Sequence, residues 1–189
     1  MPSAGTVHLS HIQSIVFHDD AQKPACKFAC ISAGLGLLPR EAMAQAKTLK
    51  EQIVGAWTLV SWVQIRPDGT KNYRFGNNPK GVNMFSHAGR FSLIIMKADL
   101  PKISSNDAMK PTAEEAEAIV IGSIAYYGTY SVDEAAKSLT LQLDGTTLTN
   151  QLGIPQKRNI DSIGANEMHY SNPTGVGGTG KIDVVWKRA

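Results

Sequence analysis

GAWTLVSWVQI, running from Gly55 to Ile65, is the first strand-like stretch of the chain, and the fold is read outward from it. Trp57, Leu59, Val63 and Ile65 fall on one face of an alternating pattern and Thr58, Trp62 and Gln64 on the other, as expected for a β-strand with an apolar and a mixed side. Gly55 permits a tight backbone turn into the strand. Two residues on, the indole of Trp57 brings a large apolar surface that must be buried.

The same period continues downstream. Pro67-Asp68-Gly69 supplies a turn, Tyr73-Arg74-Phe75 reads as a short second strand, and Gly81 to Ser86 with Arg90 to Lys97 form a hairpin about His87-Ala88-Gly89. Residues 98–112 read as an exposed loop. A helix is predicted next: Thr112 with Glu115 forms a capping box, and Ala116, Ile119, Val120 and Ser123 recur at helical spacing to about Ala125, with Gly128 ending the element. Thr129 to Val132, Ser138 to Leu143, Thr146 to Thr149, Gln156 to Ile163, Glu167 to Ser171 and Lys181 to Arg188 read as further strands. Asp144-Gly145, Gly164-Ala165-Asn166 and the glycine-rich Thr174 to Gly180 lie between them as turns. Eight to ten short strands with one amphipathic helix predict an all-β, up-and-down antiparallel barrel. A β-sandwich is the competing architecture, disfavoured by the embedded helix and by the lack of Greek-key-length crossovers.

The 189 residues suffice for one ordinary domain. The formal charge of +3 is spread without runs of one sign, which argues against a nucleic-acid partner, and no apolar stretch is long enough to span a membrane. Lys23 and Lys27 precede the apolar stretch Phe28 to Leu38, and Ala42-Met43-Ala44 follows, which is the order of a secretory signal peptide. Cleavage after Ala44 is expected, with residues 1–44 as leader and 45–189 as the domain, in the periplasm or secreted. Asp19 and Asp20 are unusual in such a leader and suggest a start codon placed too far upstream. The alternative is an N-terminal arm, disordered or loosely helical, on a cytoplasmic protein. Cys26 and Cys30 both fall in this region, and their spacing is poor for zinc or redox chemistry.

Ala125-Tyr126-Tyr127-Gly128-Thr129-Tyr130-Ser131-Val132-Asp133 resembles the AYxGTYxVD stretch of the bacterial and fungal lipocalin-like domain family. The Gly55-Ala56-Trp57 triplet, Gly89-Arg90-Phe91-Ser92, Gly153 with Gln156 and Arg158, and the closing Trp186-Lys187-Arg188 agree in order and spacing. The resemblance covers about residues 50–188 and implies a barrel whose first strand opens on Gly55, with Trp57 plugging the closed end. It also implies that Arg188 lies across that indole in a cation–π contact. Members often carry a histidine in the strand after the GTY segment; in this chain that strand reads Leu141-Gln142-Leu143, so acid–base work by such a histidine lacks its residue.

A barrel of this kind is expected to bind or carry a small hydrophobic or amphipathic molecule. Trp62, Met96, Tyr130 and Arg158 are the candidate ligand contacts, with Arg158 able to hold a carboxylate in bidentate fashion if its strand face points inward. Arg158 exposed at the rim, and Tyr126, Tyr127 and Tyr130 as plain core, are the structural alternatives. His87 and His169 are the histidines beyond the expected cleavage site, and they lack the third ligand a zinc centre needs. No serine stands in a nucleophile elbow, and Gly175 to Gly180 lacks the lysine and helix of a phosphate loop, so no metal, cofactor or catalytic residue is assigned. Two other readings remain: a cyclase or isomerase of the same shape, and an interaction module whose barrel is filled.

Overall fold

Eleven residues from Gly55 form the strand on which the barrel closes. The computed structural model describes residues 46–175 and 178–189. Strand β1 (Gly55–Ile65) is followed by β2 (Lys71–Asn72), β3 (Lys80–Phe85), β4 (Arg90–Met96), β5 (Ser123–Asp133), β6 (Ser138–Thr146), β7 (Gln156–Ile163), β8 (Glu167–Asn172) and β9 (Lys181–Arg188). From β3 to β9 each strand pairs antiparallel with the next, and β1 pairs with β3 on one side and β9 on the other. Eight strands thus form a closed up-and-down barrel, with β2 as an added strand on the far end of β1. Closure pairs each of those eight strands on both sides over at least part of its length. The expected leader, its cleavage site and both cysteines lie outside the described residues, as do two residues of the glycine-rich loop.

A bulge decides which side chains of β1 enter the barrel. Leu59 pairs with Trp186 and Ser61 with Val185, so Val60 is an extra residue that stands exposed. An inserted residue inverts the alternation beyond it. Trp57 and Leu59 point inward before the bulge and Trp62 and Gln64 after it, while Val63 and Ile65 are only half-buried. The simple alternation expected over Gly55 to Ile65 is therefore corrected: Trp62 shares the interior with Trp57.

The second correction concerns residues 113–146. Helix α2 (Ala113–Gly122) starts on the expected capping box, Thr112 Oγ1 accepting from the Glu115 amide and Glu115 accepting from the Thr112 amide, but it stops at Gly122. The chain passes directly into β5, so Tyr126 and Tyr127 are strand residues on opposite faces. Val120, which the helical period places on the face toward the sheet, is exposed, as is Ile121. Asp144-Gly145 is no turn. It is a bulge in β6, opposite Tyr127 and Gly128, and the strand runs on to Thr146. Gly128 is required there, since a Cβ would run into the Gln142 carbonyl. Tyr73 to Phe75 form a turn, the strand pairing having ended at Asn72.

One end of the barrel is sealed by a helix not foreseen in the sequence. Helix α1 (Leu49–Ile53) is held by a capping box between Thr48 and Glu51, and the amides of Leu49 and Lys50 donate to the Glu134 carboxylate at 2.8 and 3.0 Å. Its last carbonyl, that of Ile53, accepts from Trp57 Nε1 at 2.7 Å. Arg188 Cζ sits 3.9 Å over the Trp57 ring, while its guanidinium donates to the carbonyls of Gln52, Val54 and Ala165. Gly55 adopts φ 128°, and a Cβ there would meet Arg188 Nη1 at 2.8 Å. Above this floor Phe85, Phe91, Leu93, Leu139, Leu141, Met168 and Trp186 fill the lower barrel.

Two substitutions probe these constraints. Trp57→Ala, in a fully buried position, is expected to cost about 3–5 kcal/mol of stability in chemical denaturation. Gly128→Ala is expected to cost roughly 1–3 kcal/mol by overpacking at the bulge, whereas Gly153→Ala, which meets nothing nearby but has φ 76°, carries backbone strain alone.

Candidate functional site

The ladder between β6 and β7 ends at the pair Leu141 and Gln156. Beyond it, the last residues of β6 bond only to β5, and residues 147–155 cross the gap through a 3-10 turn at Thr149–Gln151. The wall is therefore parted at the end away from α1, and a cavity of about 380 Å³ lies there. Its apolar wall comes from Trp62, Phe75, Ile95, Ile124, Leu148 and Ile182, with Ile154 and Pro155 on the rim. Trp62 meets Phe75 edge to face at a centroid distance of 5.2 Å, an arrangement made possible by the Val60 bulge. Ligand sites span roughly 300–1,000 Å³, so this cavity is at the small end of that range and the barrel is not filled throughout.

Arg158 enters this cavity from β7. Arg158 and Ile160 both point inward, and Arg158 is only 5% exposed. Nη1 donates to the Lys157 carbonyl at 2.8 Å and Nη2 lies 3.5 Å from the Tyr126 hydroxyl, a long contact. Its Nε is buried without a hydrogen-bond partner, and no carboxylate of the described residues pairs with the guanidinium. Tyr170 lies below. Burial pushes its phenol well above the ordinary tyrosine value, nearby Tyr126 acts in the same direction, and Arg158 opposes both. The phenol consequently stays protonated across the physiological range and serves as a neutral dipole.

The charged groups of the lining share one sign. Arg74, Lys157 and Arg158 are basic, and none of the described residues around the cavity is acidic. Arg74 is already engaged: Nε donates to the Ile121 carbonyl at 3.0 Å, and the guanidinium lies 5.0 Å over the Phe75 ring. Asn172 lines the cavity with its Oδ1 buried and unpartnered. Among the described residues the lining contains no histidine or cysteine either. It offers an apolar wall, a cation and hydrogen-bonding groups, without a carboxylate or imidazole to act as base.

Of the four ligand contacts expected from sequence, Trp62 and Arg158 line the cavity. Tyr130 and Met96 do not. Tyr130 is buried nearer the closed end, edge-on to Phe85 at 5.0 Å, with its hydroxyl donating to the Ser86 carbonyl at 2.8 Å. Met96 sits outside the barrel with 36% exposure, because alternation from the inward Leu93 and Ile95 turns it outward. Tyr126 takes the place expected for Tyr130. The signal is the spacing of Tyr126 and Tyr130, which share a strand face once the segment is read as β throughout. His169 is half-buried and lies 2.6 Å from Glu167 on β8, and His87 is exposed in the β3–β4 turn; neither lines the cavity. Among the described residues no three histidine, cysteine, aspartate or glutamate side chains are grouped as for a metal ion.

No curated protein matches the chain significantly. Among solved structures, a lipocalin-like protein from Bacteroides uniformis ATCC 8492 is 12% identical, covering 73% of this chain and 99% of its own, with a TM-score of 0.40. A redesigned β-barrel, b11L5F_LGL, is 11% identical over 75% of this chain and 96% of its own, with a TM-score of 0.39. The profile of the lipocalin-like domain matches residues 54–189, from the residue before Gly55 through Ala189, and so takes in the whole closed barrel. With that match over most of its length, the chain belongs to the lipocalin-like domain family.

Proposed function

We propose that the protein binds, and in that sense carries, a small amphipathic molecule in the cavity at the open end of its barrel. One observation carries the reading: a void of about 380 Å³ stands at the parted end of an otherwise packed interior, lined on one side by apolar side chains and on the other by Tyr126, Arg158, Asn172 and further polar groups. Moving apolar ligand surface from water onto such walls contributes about 25 cal/mol per Å². The polar groups set orientation. The lysine, apolar and small-residue order of residues 23–44 supports export of this binding protein.

A second reading, a barrel cyclase or isomerase, draws on the neighbouring Tyr126 hydroxyl and Arg158, which give the cavity a proton donor beside a cation. Such an enzyme works by holding a reactive conformer in a dry site. Chromatography of recovered ligand distinguishes the two, since a carrier returns it unchanged and an isomerase returns a rearranged product.

Native mass spectrometry of protein purified from its own host is expected to show a reproducible added mass, and the mass of the protein itself reports whether Gln45 is its first residue. Ile124→Trp extends a wall residue into the void. This variant is expected to keep the wild-type melting temperature and lose the added mass. A variant that folds and still carries its ligand would place binding elsewhere.

A further inference from the structure

We infer that the cavity takes a monoanionic amphiphile, its carboxylate set against Arg158 and its apolar body against Trp62, Ile124 and Ile182. The inference rests on the binding role proposed above and names the class of ligand. Its first support is the state of Arg158. A guanidinium carries five N–H donors and does not lose its charge in a protein. In this barrel it is 5% exposed, yet its partners are one backbone carbonyl and the neutral phenols of Tyr126, a long contact, and Tyr170, with no carboxylate among the described residues. Its Nε has no acceptor. A buried charge is tolerated when it is paired and hydrogen-bonded, and this one lacks the opposite charge.

The second support is independent of Arg158. Basic groups occur around the cavity at Arg74 and Lys157, and among the described residues no acidic one lines it. A pocket with walls of one sign concentrates ligands of the other. The number of charges follows from how the cations are engaged. Arg74 already has the Ile121 carbonyl and the Phe75 ring, and Lys157 is exposed, so a single buried cation is left in need of a single anion. A carboxylate matches the planar guanidinium fork, while a dianionic head would bring a second charge with no buried partner.

The test uses the purified protein and Nile red, a neutral dye that fluoresces in apolar cavities, with decanoate, 1-decanol and decyl phosphate as competitors near neutral pH. Decanoate is expected to displace the dye at concentrations at least tenfold below those of decanol, and to do so better than decyl phosphate. Arg158→Met is expected to bring decanoate to within about threefold of decanol. Arg158→Lys, which keeps the charge without the fork, should fall between them. In the absence of ligand, Arg158→Met should melt at or above the wild-type temperature, because an apolar side chain of similar length removes an unpaired buried charge. A structural arginine would instead lower the melting temperature and leave the headgroup preference alone.

Equal displacement by decanoate and decanol in the wild type overturns the anion assignment while leaving the binding cavity standing. A preference that survives in Arg158→Met also overturns it. Stronger competition by decyl phosphate overturns the monoanion. If neither the dye nor any competitor binds, the binding role itself falls and this inference with it.

Discussion

Arg188 on Trp57 is the contact on which the rest of the barrel depends. It joins the last strand to the first at the point where the sheet closes, and it does so with charge, ring and backbone together. The guanidinium lies over the indole and donates to three carbonyls, two of them at the C-terminal end of α1, in its last turn and at its cap. Each carbonyl at a helix end would otherwise lack a partner inside the helix. The same arginine thus closes the sheet and docks the helix that covers its base. Gly55 is tied to this arrangement, since the space a side chain would occupy is taken by Arg188.

Sealing one end determines where a void can be. The aromatic and aliphatic side chains above Trp57 meet across a narrow interior, with Phe85 stacked at 6.1 Å on Phe91 and edge-on to Tyr130. An eight-stranded barrel is only just wide enough to be filled by its own side chains or to hold one small ligand. This chain is filled at one height and open at another. Packing fills the closed half, and the early end of the β6–β7 ladder leaves space in the other.

Most of the strand inventory is legible in the sequence, because period two and turn residues are local signals, and the pairing of Arg188 with Trp57, which no local signal carries, follows from the family resemblance. The inward set of residues is less legible. Its parity changes at Val60 and again near Asp144, and a bulge has no fixed residue signature when the extra residue is an ordinary valine or aspartate. Unbroken alternation sets Trp62 opposite Trp57, and only the bulge brings both indoles inside. Extending the helix three residues too far, to Ala125, hides the strand parity that makes Tyr126 an inward residue. Helix α1 is the clearest signal that the sequence reading passes over: Thr48 and Glu51 have the spacing of a capping box, and Leu49 and Ile53 stand four apart on one face.

Arg158 and Arg188 show how one residue type gives opposite results within one barrel. Arg188 has its three backbone acceptors and a ring, so its burial is matched in the folded chain alone. Arg158 is buried more completely and matched less. The cost of withdrawing its charge from water is met when the barrel folds, whether or not a ligand is present. In the anion-binding role inferred above, an entering anion meets a cation already largely buried and held in place. Preorganisation of this kind places part of the cost of binding in the stability of the free protein. The closed end supplies that stability, through a fully buried Trp57 and the helix docked beneath it, and the sealed floor is in this sense a condition for the unpaired charge at the mouth.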